Sequence, residues 1–377
     1  IVNFMENKIK YINLAAQYNS IESEIKREIN SVFKNSAFIL RKSVFRFEQK
    51  ICRILGVKYC VSVNSGTDAL LFALSQAGLK KNDEIITPSH TYVASVSAID
   101  HVGAIPIFVD IGDDFNIDPN LIEKKITKKT KAIMVVHLNG RSCDMEPIIK
   151  IAKKYKLQII EDAAQGFGAK YNGKYVGNFG LAAAFSLHPM KNLSVPGDGG
   201  FLTTNNKKVY QKVLLLRDHG RIKVGNKELR KCYGFNSRLD NLHASIALIK
   251  LKYFFGWMSK RRKIAEFYNK ELQSISDYIK TPKLYKKEKL YIDTFNSYVI
   301  RSKKRNALKK YLIKNKIEVF SHIDKGVHLE KNLYSKKIYL PKTEQLEKEI
   351  LSLPIYPELS KKQQLTICNA IKKFYTQ

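Results

Sequence analysis

The chain has 377 residues, of which 44% are hydrophobic and 27% are charged. These fractions are ordinary for a globular protein and exclude a disordered or collagen-like chain. The formal net charge of +32 would suit a nucleic-acid-binding protein. The lysines, however, are scattered in short pairs along the sequence, and no helix-turn-helix, RRM or zinc-finger pattern accompanies them. We therefore expect no nucleic-acid partner and a basic surface that attracts anionic substrates.

The distribution of apolar residues and cysteines excludes further classes of protein. The sequence contains no run of about 18 apolar residues, which a membrane-spanning helix requires. Its first residues lack the apolar core of a signal peptide. The five cysteines are widely spread, without the spacing of a metal site. We expect a cytoplasmic protein with reduced thiols, no membrane span and no metal.

Strand-like and helical segments alternate between residues 55 and 210. Short apolar runs predict seven strands, at 59–63, 84–87, 105–109, 132–136, 158–160, 182–186 and 200–204. Apolar residues at helical spacing predict helices at 68–77, 91–102 and 148–155. This alternation predicts an α/β fold, a three-layer sandwich with a mostly parallel central sheet. Ligands of such a sheet bind at the carboxyl ends of its strands.

The character of the sequence changes after Asn241. One or two long helices are predicted at 243–272. Shorter elements follow, with strands predicted at 291–301 and 317–320 and helices at 306–315 and 360–375. We therefore expect two domains. Residues 1–255 would form a large ligand-binding domain with an N-terminal helical arm, and residues 256–377 a smaller α+β domain.

Ser65, Gly66 and Thr67 lie between a predicted strand and a predicted helix. The start of a helix offers free backbone N–H groups and a partial positive charge, and glycine lets a phosphate approach the backbone closely. The hydroxyl groups of Ser65 and Thr67 can add hydrogen bonds. The segment therefore suits a phosphate group, although Ser and Thr also cap helices that bind no ligand.

Two charged residues follow other predicted strands. Asp162 comes after the apolar run 158–160, where a carboxylate needs a partner such as a protonated ring nitrogen. Alternatively, it caps the next helix.

Lys191 lies among small and apolar residues between a strand and the glycine-rich segment 197–200. Burial there would lower the pKa of its amine and make it nucleophilic; the alternative is an ordinary solvated lysine.

Tyr92 follows the predicted strand 84–87 and could stack on an aromatic ring or pack in the core. Together, the four features predict a site for pyridoxal 5′-phosphate. They would supply a phosphate cradle, a stacking side chain, a partner for the pyridine nitrogen and an amine that bonds to the cofactor.

The sequence resembles the DegT/DnrJ/StrS family of sugar aminotransferases, within the fold-type I pyridoxal-phosphate enzymes. The resemblance covers nearly the whole chain and rests on an ordered set of motifs, at residues 38–40, 64–70, 87–92, 136–138, 161–165, 185–191, 197–200, 236–240 and 351–357. It implies the fold of the PLP-dependent transferases, which is like that of aspartate aminotransferase.

The resemblance also implies a role for each residue that matches a family motif. Lys191 would bond to the cofactor and move the proton, Asp162 would contact the pyridine nitrogen, and Gln165 would contact the hydroxyl side of the ring. Tyr92 would stack on the ring. The phosphate would be held by Ser65, Gly66, Thr67 and Ser186. Asn236 would reach the cofactor phosphate of a neighbouring subunit, which implies a homodimer with shared active sites. The residues near the substrate would be Arg238, His322 and His328.

The reaction that the resemblance implies is transfer of an amino group from L-glutamate to a nucleotide-linked keto-deoxy-sugar, in amino-sugar or surface-glycan biosynthesis. The resemblance also implies that dehydratases on the same scaffold carry His at the Schiff-base position, so Lys191 favours an aminotransferase over a dehydratase. A non-enzymatic nucleic-acid-binding or regulatory protein is the third alternative. The sequence departs from the family pattern at 41–42, 139–141 and 323–324, where contacts with the substrate are expected.

Overall fold

The computed structural model of the protein describes residues 8–284, 290–330 and 338–377. The described residues form eleven α-helices: α1 (Leu14–Asn19), α2 (Glu22–Lys34), α3 (Lys42–Leu55), α4 (Gly66–Ser75), α5 (Val93–His101), α6 (Met145–Lys154), α7 (Lys207–Leu216), α8 (Asn241–Leu272), α9 (Arg305–Lys314), α10 (Pro341–Glu349) and α11 (Lys361–Thr376). They also form fifteen strands: β1 (Tyr59–Val63), β2 (Glu84–Pro88), β3 (Ile105–Val109), β4 (Thr130–Val136), β5 (Gln158–Asp162), β6 (Lys170–Tyr171), β7 (Lys174–Tyr175), β8 (Ala182–Ser186), β9 (Gly200–Thr204), β10 (Arg221–Val224), β11 (Lys227–Arg230), β12 (Ile279–Lys280), β13 (Tyr291–Ile292), β14 (Tyr298–Ser302) and β15 (Ile350–Leu353).

The central sheet has seven strands in the order β1-β9-β8-β5-β4-β2-β3. Neighbours from β8 to β3 are parallel, whereas β9 runs antiparallel to both β1 and β8. All seven strands predicted from the sequence are present, and the prediction of a mostly parallel sheet is confirmed. Six strands therefore end at one edge of the sheet, and β9 begins there at Gly200.

Alternate residues of the sheet face two separate apolar layers. In β8, Ala183 and Phe185 pack against α3 and α8, while Ala182 and Ala184 pack against α4 and α7. On the first face the rings of Phe185 and Phe201 stack with centroids 4.6 Å apart. Because both faces are covered, the strands can be apolar along their whole length. The predicted three-layer α/β sandwich is confirmed.

Helix α8 runs without a break for 32 residues. Its first half packs in the apolar layer on the central sheet, which we call the large unit. Its second half, including Ile264 and Tyr268, packs under the sheet β12-β14-β15, which we call the C-terminal unit. Residue 255, where the sequence predicted a domain boundary, therefore lies inside a helix that both packing units share. The division into domains at that residue stays a prediction.

The C-terminal unit contains an antiparallel sheet in the order β12-β14-β15, packed against α9 and α11. The predicted strand at 291–301 is two strands instead, because β13 pairs with β6 of the large unit before β14 begins. The predicted strand at 317–320 is wrong: Ile317 and Phe320 form isolated bridges to Ile9 and Ser352. Its two ends bridge to different partners, so no continuous ladder forms.

Two further findings concern the part of the chain that the structure describes. No helix there is both long enough and apolar enough to span a bilayer. Nor does that part contain a group of three or more His, Cys, Asp or Glu side chains arranged to hold a metal ion.

Candidate active site

The start of α4 meets the ends of two strands at the carboxyl edge of the sheet. A Cβ atom added at Gly66 would lie 2.8 Å from the Cβ of Ser186, and one added at Gly200 would lie 2.4 Å from the carbonyl carbon of Ser65. Ser186 and Gly200 are paired across β8 and β9. Only glycine fits at the two positions, because each approaches neighbouring backbone or a Cβ too closely for a side chain.

This close packing leaves helix N–H groups available to a ligand. The Ser65 hydroxyl accepts a hydrogen bond from the N–H of Asp68 at 3.1 Å. This is the capping bond that Ser65 would also make in a helix that binds no ligand. The cap does not use the N–H groups of Gly66 and Thr67, which have no acceptor within the helix. These N–H groups, the helix dipole and the adjacent Ser186 hydroxyl form a cradle that fits a phosphate.

Asp162 ends β5 and is buried, with 5% of its surface exposed. One carboxylate oxygen accepts a hydrogen bond from the Ser95 hydroxyl at 2.7 Å, and the other accepts from the N–H of Ala164 at 3.1 Å. The Thr91 hydroxyl lies 2.7 Å from that of Ser95. Because an ionised carboxylate only accepts, Ser95 donates to Asp162 and Thr91 donates to Ser95. These hydrogen bonds fix the orientation of the Asp162 carboxylate at the end of β5.

Lys191 follows β8 through a turn in which its N–H donates to the carbonyl of His188 at 2.8 Å. Removal of the half-buried side chain from water lowers the pKa of Lys191, and the negative charge of Asp162 partly opposes this shift. Strands β5 and β8 are adjacent, so the turn that carries Lys191 leaves the sheet at the edge where Asp162 ends β5. A lysine with a lowered pKa keeps more of its amine in the nucleophilic, unprotonated form.

Tyr92 and Gln165 lie at the same edge of the sheet. Tyr92 immediately precedes α5 and is 68% exposed, so its ring is open to a partner from outside its own core. The side-chain oxygen of Gln165 accepts a hydrogen bond from the N–H of Asn139 at 2.8 Å. That bond orients the amide and leaves its NH₂ group as a donor. Phosphate cradle, exposed ring, carboxylate and amine are thus all present, and this set fits pyridoxal phosphate.

Sequence reasoning missed the network around Glu161, which is fully buried beside Asp162. Its carboxylate accepts from the N–H groups of Gly177, Phe179 and Gly180 and from Nε2 of His137 at 3.2 Å. The N–H of Cys143 donates to Nδ1 of the same histidine, which places the imidazole proton on Nε2. The sequence feature that could have indicated this network is Glu161 itself, a second carboxylate in an otherwise apolar strand. The network holds the end of β5 and hence positions Asp162.

His322 is a predicted substrate residue that contacts Ser352 and Tyr11. Its Nδ1 is 3.2 Å from the Ser352 hydroxyl, and its ring centroid is 5.0 Å from that of Tyr11. The side chain keeps an exposed surface. Partial removal from water lowers the pKa of His322, and the positive charge of Lys191 lowers it further. The structure thus brings His322 within electrostatic range of Lys191, and it adds Tyr11, which the sequence gave no reason to single out.

The other predicted contacts have partners elsewhere in the chain. Arg238 donates to Asp218 at 2.9 Å, and His328 is buried against Ser89. Asn236 is exposed beside Tyr233, whose side chain is fully open to solvent. The roles of these three residues toward substrate or cofactor stay predictions.

One departure from the family pattern has a structural explanation. Arg141 is buried, and its guanidinium group forms hydrogen bonds with both carboxylate oxygens of Asp293. Thr294 donates to the carbonyl of Gly140. The segment 139–141 therefore ties the large unit to the C-terminal unit, in addition to orienting Gln165 through Asn139.

His90, next to the Tyr92 turn, makes the protein sensitive to acid. Its ring is buried, stacks on Phe115 at 6.0 Å, and its Nδ1 has no hydrogen-bond partner among the described residues. Burial lowers the pKa of His90 from 6.5 to about 4, partly opposed by Asp110. As the pH falls through this window, the unfolded chain takes up the proton before the native protein does, so native stability is lost.

We expect His90→Phe to remove that loss while keeping the aromatic contact. Between pH 7 and pH 4, urea unfolding should show the variant losing about 3 kcal/mol less stability than the wild type. A wild-type and a variant curve that stay parallel over this range would contradict the assignment.

Comparison with known proteins agrees with this geometry. Residues 19–372 match the DegT/DnrJ/EryC1/StrS aminotransferase family. The chain is 39% identical over 370 residues to the dTDP-3-amino-3,6-dideoxy-alpha-D-galactopyranose transaminase of Aneurinibacillus thermoaerophilus, covering 97% of this chain and 99% of that protein.

Solved structures agree as well. DesV of S. venezuelae, in complex with a ketimine intermediate, matches with a TM-score of 0.92 and 32% identity, over 98% of this chain and 99% of that chain. NtdA of Bacillus subtilis, with bound cofactor PMP, matches with a TM-score of 0.91 and 29% identity, over 100% and 87%. The resemblance predicted from the sequence is confirmed: the chain belongs to the DegT/DnrJ/EryC1/StrS aminotransferase family.

Proposed function

We propose that this aminotransferase uses pyridoxal phosphate to transfer the amino group of L-glutamate to the keto carbon of a nucleotide-linked keto-deoxy-sugar. The observation that carries the proposal is that the α4 cradle, the Asp162 carboxylate at the end of β5 and the turn with Lys191 after the adjacent strand β8 meet at one edge of the sheet. The relative that acts on a dTDP-linked amino sugar supports the substrate class, and the neighbour with bound PMP supports the cofactor. The net charge of +32 suits an anionic nucleotide substrate.

Each residue of the site would have a distinct task. The N–H groups of Gly66 and Thr67 would bind the phosphate, and the Ser186 hydroxyl would add a donor. Asp162, oriented by Ser95, would hold a proton on the pyridine nitrogen. Tyr92 would cover one face of the ring. The bound cofactor supplies an electron sink for the carbanion at the reacting carbon.

Lys191 would move the proton in both halves of the reaction. Its amine would carry the proton from the α-carbon of glutamate to the cofactor carbon that carries the nitrogen in the first half, and from that cofactor carbon to the sugar carbon in the second. The lowered pKa of Lys191 favours this role, because an unprotonated amine can accept a proton. His322, within range of the same amine, would lie beside the entering substrate.

The exposed surface around Asn236 supports a homodimer with shared sites. Tyr233 is fully exposed and Phe235 is 48% exposed on the segment that follows the β10–β11 hairpin. Phe33 and Phe38, whose rings lie 5.5 Å apart, are also exposed. Exposed aromatic side chains are enriched at protein interfaces. We propose that Asn236 completes the phosphate cradle of a second subunit.

A mixing experiment tests the shared site. Lys191→Ala and Asn236→Ala would each inactivate the homodimer, but a mixed dimer would contain one site with both native residues. After co-refolding at equal amounts, half of the dimers are mixed and each has one intact site, so about a quarter of wild-type activity should return. Activity no higher than the mean of the two separate variants would contradict sharing.

Incubation of the purified protein, loaded with pyridoxal phosphate, with glutamate and a panel of nucleotide-linked keto-sugars tests the function itself. Mass spectrometry should detect exchange of the keto oxygen for an amino group in at least one sugar. A product that has lost water without gaining nitrogen would instead indicate a dehydratase. Binding that is steeply salt-dependent, prefers nucleic acid and ignores pyridoxal phosphate would indicate the regulatory alternative.

A further inference from the structure

Ser89 and His328 form a buried link between the two packing units. Ser89 follows β2 in the large unit, and His328 lies in the C-terminal unit; both side chains are fully buried. The N–H of His328 donates to the Ser89 hydroxyl at 3.0 Å, and the N–H of Val327 donates to the carbonyl of Ser89 at 3.0 Å. The same hydroxyl is 2.6 Å from Nδ1 of His328. Since the hydroxyl already accepts one bond, its proton is available to donate to the ring.

The large-unit end of this link lies in the turn that carries Tyr92. Within the turn, the N–H of Thr91 donates to the carbonyl of Ser89 at 2.9 Å. The hydroxyl of Thr91 begins the chain of hydrogen bonds through Ser95 to Asp162. The turn is therefore fixed at one end to the carboxylate of the site and at the other end to His328.

The C-terminal end of the link lies in the segment that carries His322. The two histidines are six residues apart, and His322 lies within electrostatic range of Lys191. The link thus joins the segment that carries His322 to the turn that presents the exposed ring of Tyr92.

We propose that Ser89 and His328 are positioning residues that fix the Tyr92 turn against the C-terminal unit and so hold the Tyr92 ring where it covers the cofactor. The inference rests on the proposed use of pyridoxal phosphate. It assigns His328 a task through Ser89 rather than through direct contact with the substrate.

A matched control exists at a second link between the same units. The Thr343 hydroxyl donates to the buried carboxylate of Asp110 at 2.7 Å, and Thr343 is fully buried. This bond joins the residue that follows β3 to α10, and within the described residues neither of its partners forms a hydrogen bond with the Tyr92 turn. Ser89→Ala and Thr343→Val each delete one buried hydroxyl between the units, but only the first loosens the turn.

The test measures binding of pyridoxal phosphate to the apoprotein, by titration of absorbance, and the visible circular dichroism of the bound cofactor. We expect Ser89→Ala to weaken cofactor affinity about three- to tenfold and to change the dichroism, because the variant loses both buried hydrogen bonds of the Ser89 hydroxyl and part of that loss reaches the cofactor site. Thr343→Val should stay within about twofold of the wild type, because its hydrogen bond lies outside the turn. Equal effects of the two variants, or no effect of Ser89→Ala, would overturn the inference.

Two further measurements keep the outcome decisive. If Ser89→Ala does not fold, Ser89→Cys retains a side chain of similar size with a weak hydrogen-bonding group, and the same shifts are expected. The double variant of Ser89→Ala with His328→Phe should bind the cofactor no more weakly than the worse single variant. Both substitutions break the same hydrogen-bonded link, so the second adds no further loss. Additive losses would overturn the inference. Failure of the wild type to bind pyridoxal phosphate would instead refute the proposed function.

Discussion

Lys191→Ala should lower the rate of amino transfer roughly a thousandfold or more, because the variant has no amine to move the proton. The variant should fold and still bind the cofactor through the α4 cradle, since that cradle involves other residues. Steady-state rates with glutamate and the sugar identified by the panel, together with thermal unfolding, would measure both effects.

An exposed lysine provides the control for this substitution. Lys150 lies on α6 in an ion pair with Glu146, with 74% of its side chain exposed. Lys150→Ala removes the same positive charge from the protein and should leave the rate within about twofold, since exposed ion pairs contribute little. Substantial activity in Lys191→Ala, or an equal loss in Lys150→Ala, would remove Lys191 from its assigned role.

Asp162→Asn should lower the turnover number roughly a hundred- to thousandfold, because the neutral amide no longer favours a proton on the pyridine nitrogen. The substitution preserves size, and the amide oxygen can still accept from Ser95 or Ala164. The absorbance of the bound cofactor should shift as the ring loses its proton. Stopped-flow measurement of the glutamate half-reaction would isolate this step.

Asp110 is the matched carboxylate, and it immediately follows the edge strand β3 of the same sheet. It is buried and accepts from the N–H groups of Lys342 and Thr343. Asp110→Asn should therefore destabilise the fold but leave turnover per folded molecule nearly unchanged. A cofactor spectrum that does not change in Asp162→Asn would contradict the contact with the ring nitrogen.

The strands of the central sheet were predictable because each is a short apolar run covered on both faces. The direction of β9 was not predictable, since an apolar run has the same pattern whichever way the strand points. The segment 317–320 has the composition of a strand, but it forms only single bridges to Ile9 and Ser352. Pairing depends on neighbours that local sequence does not specify.

For the site, the sequence indicated the residues whose type and position are unusual. Asp162 follows an apolar strand, and Lys191 lies in a stretch with few other charges. Residues such as Ser95, Glu161 and Ser89 act through contacts with residues that are distant in sequence. Nothing in the local patterns of Ser95 and Ser89 distinguishes them from ordinary core polar residues, whereas Glu161 differs as a second carboxylate in an otherwise apolar strand. The buried state of His328 likewise depends on packing between the two units.

The bond between Lys191 and the cofactor is the most direct test of this account. The protein is loaded with pyridoxal phosphate and reduced with borohydride, which converts a carbon–nitrogen double bond to a lysine into a stable amine. Peptide mapping by mass spectrometry then locates the modified residue among the many lysines of the chain. The account predicts one modified peptide, containing Lys191. Labelling of another lysine, or weak labelling spread over surface lysines, would contradict it.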